Sequence, residues 1–390
     1  MIIQNMLLRV EKTKELGGAV TPPSSKSQTI RALILATLVS GRSVLHNVLK
    51  SDDTKAAMDV CRGLGVDIKQ ENNSLVVTST GVPLQDCNNK INSGNSGITT
   101  RFIMPVLGLR ENSVQEIILD CDEQMRQRPV RPLINALRSL GLDIECLAGE
   151  GKCPVSISGI LKSGEIKIEG LTSQYLSALL LSGPCIKGGL KIIVEDLHER
   201  PYVDMTLAWL DEQSINYKHY KVDNNDVYHL EGSQSYKPFE KVMPVDFSSA
   251  SYLIAGAVLI PGEVVIKNID MSELQGDKRI ISILQEMGAD ITVSNNELLI
   301  KGGQPLHGIT IDANDIPDML PTLAVVATQA EGQTRIVNVA HARIKETDRI
   351  NSMAMGLGAM GAYMEEKEDG LIIKKSLLHG AKVNGFDDHR

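Results

Sequence analysis

Several short stretches of this chain combine bases, acids and hydroxyls at spacings that suit anion binding or proton transfer. The first is Ser24-Ser25-Lys26-Ser27 with Arg31. Ser27 and Arg31 stand at i and i+4. On a helix that puts a hydroxyl and a guanidinium on one face, where both can grip one phosphate or carboxylate. Next come Asn95-Ser96-Gly97 with Arg101, and the run Arg126-Gln127-Arg128-Pro129-Val130-Arg131. Thr172-Ser173-Gln174 and Ile316-Pro317-Asp318 add hydroxyls and an acid, and Lys345-Glu346-Thr347-Asp348-Arg349 packs bases and acids together. The chain ends on Asp387-Asp388-His389-Arg390.

Taken singly, each stretch has a plainer reading. Ser-Lys-Ser is a helix start, and no G-x-x-x-x-G-K-[ST] phosphate loop is present. Asn-Ser-Gly is a turn, and the arginine cluster is a solvated face. Lys-Glu-Thr-Asp-Arg is an exposed, salt-bridged helix start, and Asp318 is a first-turn acid that complements the helix dipole. Asp-His-Arg suggests metal or triad chemistry, but neither a nucleophile elbow nor H-E-x-x-H accompanies it. What lifts these readings is that the stretches share a phase.

That phase belongs to a repeat. Leu64-Gly65-Val66-Asp67-Ile68, Leu140-Gly141-Leu142-Asp143-Ile144, Met287-Gly288-Ala289-Asp290-Ile291 and Met360-Gly361-Ala362 read as helix ends running into strands, with a glycine-less copy near Ser214. Polar helix openings at 24, 95, 172, 246 and 314 keep the same step of about 70 residues, and a further step lands on Asp387. Ser25 and Gln28 predict a capping box, and Pro317 a first-turn proline. Each unit reads helix, strand, helix, strand pair, so the fold class is α/β. Thr21-Pro22-Pro23 and Gly232–Pro238 mark crossings between domains. Residues 22–235 would form the first domain, and residues 1–21 with 236–390 the second. The N-terminal stretch is strand-like around Arg9. Helix N-termini carry about half a positive charge. If the openings face one cleft, they make it electropositive.

Composition narrows the class. Across 390 residues, 42% are hydrophobic, 23% charged and 3% aromatic, an ordinary globular balance. A net charge of −8 argues against a broad nucleic-acid face, and so few aromatics argue against a stacking platform. No apolar run reaches the ~18 residues of a membrane span, and no signal peptide is evident. Cys61, Cys87, Cys121, Cys146, Cys153 and Cys185 form no C-x-x-C, which points to reduced thiols in a cytoplasmic protein.

In this order over residues 24–390, the motifs resemble the 5-enolpyruvylshikimate-3-phosphate synthase branch of the enolpyruvyl transferase family. The resemblance also rests on Gly94, Arg128-Pro129, Ser173-Gln174-Tyr175-Leu176 and Gln275-Gly276-Asp277. It implies a two-domain inside-out α/β barrel, each domain three βαβαββ units, with the active site in the interdomain cleft. The implied reaction moves the carboxyvinyl group of phosphoenolpyruvate to the 5-hydroxyl of shikimate 3-phosphate and releases phosphate, as a step toward chorismate and the aromatic amino acids.

The resemblance assigns Lys26, Ser27, Arg31, Thr172, Ser173, Gln174, Asp318, His341 and Lys345 to shikimate 3-phosphate. It assigns Lys26, Asn95, Gly97, Arg128, Gln174, Glu346, Arg349 and Arg390 to phosphoenolpyruvate. Asp318 and Glu346 are the implied proton-transfer groups, with Lys26 assisting. Neither a metal nor an organic cofactor is implied. A monomer without nucleic-acid or membrane partners is expected.

Some residues depart from the family pattern. Ile98 replaces a usual threonine after Gly97, and it is expected to weaken binding of glyphosate, which occupies the phosphoenolpyruvate pocket in the family. Glu199 stands where a substrate-binding serine is often found, and carries no role over. His341 replaces a common asparagine. In the family a further helix follows Asp-His-Arg, so the sixth unit is expected to be incomplete and the isolated chain poorly active. Two other readings remain: a catalytically impaired anion-binding chain, and a UDP-N-acetylglucosamine enolpyruvyl transferase.

Overall fold

The computed structural model describes residues 8–85 and 87–389. The strands form five four-stranded sheets with one repeated order. In the second sheet, Lys90–Asn92 pairs parallel with Ile117–Asp120, which pairs antiparallel with Val155–Gly159, and Leu142–Cys146 closes the far edge. The third and fifth sheets repeat this pattern from Gly164–Glu169 and Thr310–Asp312. At the helix-to-strand corners Gly65, Gly141, Gly288 and Gly361 all have φ between +81° and +106°. That conformation strongly favours glycine. The glycine-less copy meets the same need with Ser214, at φ +57°.

The first helix of each unit lies inside, and the sheets lie outside. Lys26–Leu38 is buried along nearly its whole length, as are Gly97–Val106 and Ser173–Ser182. Helices apolar on every face need cover on every face. These three pack together in one core that runs from Ile30 to Met243. Phe247–Leu259, Leu320–Ala327 and Arg349–Ala359 belong to a second core that runs from Val245 to Ile373. This is the mixed α/β, inside-out repeat expected from the sequence. We call the two cores with their sheets the first and second lobes.

The lobes exchange strands. Leu16–Val20 pairs with Gly262–Ile266 of the second lobe, yet the chain then enters the first-lobe helix at Lys26. Glu240–Val242 pairs with Val44–His46 of the first lobe, yet leads into the second-lobe helix at Phe247. The two crossings run side by side. Ser25 N donates to Pro244 O at 2.7 Å, and Asp246 N to Pro23 O at 2.8 Å.

Two local expectations are corrected. Residues 8–15 carry no regular structure, and the strand begins at Leu16. The capping box at Ser25 is only half formed. Ser25 Oγ accepts from Gln28 N, but the Gln28 side chain donates to Glu273 at 2.9 Å and accepts from Trp209 Nε1 at 2.7 Å. Gln28 is spent on tertiary contacts because Ser25 N already has Pro244 as its partner. Among the described residues all six cysteines are free, and no helix is long and apolar enough to cross a membrane.

Candidate active site

Between the lobes lies a narrow cavity of about 50 Å³. The first lobe supplies it mainly from helix starts. Lys26 opens its helix; its backbone N–H donates to Asp246 across the crossing at 3.0 Å, and its Nζ lies 3.5 Å from Asp53. Ser27 and Arg31 follow on the same face, as their spacing predicts. Arg31 is fixed by bonds to Thr206 Oγ1 at 2.9 Å, Ser27 O at 3.2 Å and Tyr202 O at 2.7 Å. Burial pulls its guanidinium down to about 10, so it stays charged near neutrality.

Gly97 is a close-approach glycine. A Cβ there would lie 2.5 Å from Arg128 Nη1 and 2.8 Å from Arg101 Nη1. Arg101 donates to Gln174 Oε1 at 2.8 Å and Pro129 O at 2.9 Å, which turns Gln174 toward the cavity wall. Arg128 Nη1 sits 3.5 Å from Glu346, while the buried Arg128 Nε has no hydrogen-bond partner among the described residues. A buried guanidinium with an unmade bond is a receptor for an anion.

The second lobe supplies acids held by bases. Arg349, the first residue of its helix, bonds Asp318 at 2.6 Å, Glu346 at 2.7 Å and Asp388 at 2.8 Å. Tyr202 of the first lobe donates to Asp318 at 3.3 Å and to Asp277 at 3.1 Å. Burial would raise the Glu346 carboxyl, but Arg349, Arg128 and Lys26 outweigh it and hold it well below the usual range. Burial pushes the Lys345 ammonium well below its ordinary value; Glu346 opposes this, and Arg349 and Arg128 add to it. Burial also works against ionising Asp53, but the bond from His389 and the charge of Lys26 bring it to about 2.

Most of the expected residues therefore share one cavity: Lys26, Ser27, Arg31, Gly97, Arg128, Ser173, Gln174, Asp318, Lys345 and Glu346. Others stand behind it. Thr172 caps the helix at Ser173 and bonds Glu199 at 3.2 Å. Arg349 acts from below, through the two acids. Asn95 bonds Gln124 and meets His389 Nδ1 at 3.3 Å. His341 faces a separate cavity, stacked on His198 with ring centroids 4.9 Å apart. Arg390 lies outside the described residues.

Sequence reasoning missed Asp53, Tyr202 and Glu199 in the cavity wall, and Gln124, which bridges the lobes to Glu346 O at 2.9 Å. Tyr202 left a sequence signal, in Arg200-Pro201-Tyr202 at a helix start, and Glu199 stood out only as a departure from the family pattern that carried no role. The cleft is also not simply electropositive. Lys26, Arg31, Arg128 and Lys345 on its wall face Asp53, Glu199, Asp318 and Glu346. Several helix-start N–H groups are already taken by internal carboxylates, which meet the same dipole that an outside anion would seek. Among the described residues, no group of His, Cys, Asp and Glu is placed to hold a metal ion.

Known proteins give a consistent picture. The family model for EPSP synthase (3-phosphoshikimate 1-carboxyvinyltransferase) matches residues 10–390. A 3-phosphoshikimate 1-carboxyvinyltransferase of Acetivibrio thermocellus is 43% identical over 387 residues, covering 99% of this chain and 89% of its own. One from Methanocaldococcus jannaschii is 40% identical over 389 residues, covering 98% and 89%. The solved EPSP synthase of Acinetobacter baumannii superposes with a TM-score of 0.78 at 26% identity, covering 98% of this chain and 88% of that one. The chain thus belongs to the EPSP synthase family, and its activity is the transfer of the carboxyvinyl group from phosphoenolpyruvate to shikimate 3-phosphate.

Proposed function

We propose that the interlobe cavity is where both substrates meet, and that the lobes correspond to domains of residues 22–235 and of residues 1–21 with 236–390, the strand Glu240–Val242 lying on the first lobe's sheet. Shikimate 3-phosphate takes Ser27, Arg31, Ser173, Gln174, Asp318 and Lys345, with Thr172 and His341 at the margin. Phosphoenolpyruvate takes Lys26, Gly97, Arg128 and Gln174, with Asn95 and Arg349 behind. The observation that carries this reading is that cations from both lobes and the Arg349-linked pair Asp318 and Glu346 face one cavity. A cytoplasmic location is in keeping with six free thiols among the described residues, and a monomer is proposed on the family resemblance alone.

The chemistry needs a base and an acid. The 5-hydroxyl oxygen adds to the phosphate-bearing carbon of phosphoenolpyruvate while the methylene takes a proton. Loss of phosphate and of one methyl proton then restores the vinyl group. Asp318 accepts the hydroxyl proton. Glu346 is held ionised by Arg349 first and by Arg128 and Lys26 after it, and it takes a proton more readily once the phosphoenolpyruvate anion engages Arg128 and Lys26. The loss of those counter-charges lifts the Glu346 pKa. Closure of the lobes excludes water from the pair.

Asp318→Ala tests the assignment. Phosphate release with both substrates present should fall roughly 100-fold or more, while shikimate 3-phosphate still raises the melting temperature. Turnover close to that of the parent enzyme overturns the role of Asp318.

A further inference from the structure

Glu199 is an acid set into the first lobe's basic wall. It is 1% exposed and stands at φ +57°, a conformation that a residue with a side chain adopts only when its surroundings impose it. Its carboxylate collects four donors. Ser173 N donates at 3.1 Å, Ser173 Oγ at 2.7 Å and Thr172 Oγ1 at 3.2 Å, all at the start of the Ser173–Ser182 helix. The fourth donor is Lys345 Nζ, which reaches across from the second lobe. A helix N-terminus, two hydroxyls and an ammonium make a complete oxyanion receptor. Here an internal carboxylate fills it and ties the lobes together.

We infer that Glu199 is a specificity-determining residue that occupies the seat of the acceptor's phosphate and competes with it. The inference rests on the proposed reading that Ser173 and Lys345 bind shikimate 3-phosphate. The charge balance of the wall gives it weight. Among the described residues that line the cavity, four basic side chains face four carboxylates, so Glu199 offsets part of the positive charge that a phosphate dianion would meet. Removing Glu199 tips the balance toward cations and frees Ser173 and Lys345 together. The phosphate now enters only by displacing Glu199 from its donors, so affinity for the acceptor is held down. Phosphoenolpyruvate, on Arg128 and Lys26, is left largely untouched.

Steady-state kinetics of Glu199→Ser and Glu199→Gln test this, with the stabilisation of each protein by shikimate 3-phosphate and by inorganic phosphate measured alongside. The expected result is a KM for shikimate 3-phosphate lower by about tenfold, a KM for phosphoenolpyruvate within about twofold, and a larger melting shift from either phosphate ligand. An unchanged or higher KM for shikimate 3-phosphate in an active variant overturns the inference. If Glu199→Ser does not fold, Glu199→Gln preserves the shape of the carboxylate without its charge and gives the same reading. Ser173→Ala separates the two levels: if it leaves the acceptor KM unchanged, the substrate assignment itself falls, and the inference with it.

Discussion

The helix starts of the two lobes meet the same cleft with different caps. In the first lobe the caps are hydroxyls, Ser25, Ser96 and Thr172. In the second, Asp246 and Asp348 cap the helices at Phe247 and Arg349, and Asp318 stands in the turn between them. A hydroxyl satisfies one N–H and leaves the positive end of the helix open to an outside anion, whereas a carboxylate neutralises it. The first lobe is therefore built to receive anions and the second to hold protons. Two carboxylates nevertheless reach first-lobe helix starts: Asp246, which crosses over to Lys26 N, and Glu199, which belongs to the first lobe itself.

The largest expected effect lies in the second lobe. Arg349→Ala strips a buried cation from Asp318, Glu346 and Asp388 at once. Buried charges left unpaired cost roughly 3–5 kcal/mol, so a urea melt should show a loss of that size together with loss of turnover. A loss below about 1 kcal/mol, the value of a surface pair, would mean that the acids have other support.

The matching change in the first lobe should affect binding more than fold. Gly97→Ala places a methyl against Arg128 and Arg101. Both guanidiniums must retreat, and the KM for phosphoenolpyruvate should rise about tenfold with little change in unfolding free energy. An equal loss in kcat alone would erase the contrast between the lobes.

A smaller effect belongs to the margin. Burial, and then His198, lower the His341 ring to about 4, against about 6.5 in an unfolded chain. Below pH 6.5 the unfolded chain takes up a proton that the folded chain refuses. Stability therefore falls as pH drops from 6.5 toward 4, and this group contributes nothing above that window. His341→Asn should flatten the decline in melting temperature between pH 6.5 and 4.5; an unaltered decline would remove His341 as its source.

Much of this was legible in the sequence because the units repeat. Lys26, Gly97, Ser173 and Asp318 share one phase, and units of one kind bring equal phases to equal places; the Lys345–Arg349 run lies about half a unit further on. Residues that act by long-range pairing escaped. Glu199 meets Lys345 across 146 residues, and Gln124 meets Glu346 across 222. Asp53 is drawn in by Lys26 and His389. The phase likewise reveals the helix starts but not the acids that seat themselves on them.

The division of labour is tested most directly by running the reaction in deuterium oxide with Glu346→Gln and following deuterium in the product's vinyl methylene by mass spectrometry. The account predicts that the parent enzyme incorporates deuterium, and that the variant loses turnover and incorporation roughly 100-fold or more while its affinity for both substrates stays within a few-fold. Incorporation at the parent rate, or lost binding with chemistry intact, would contradict it.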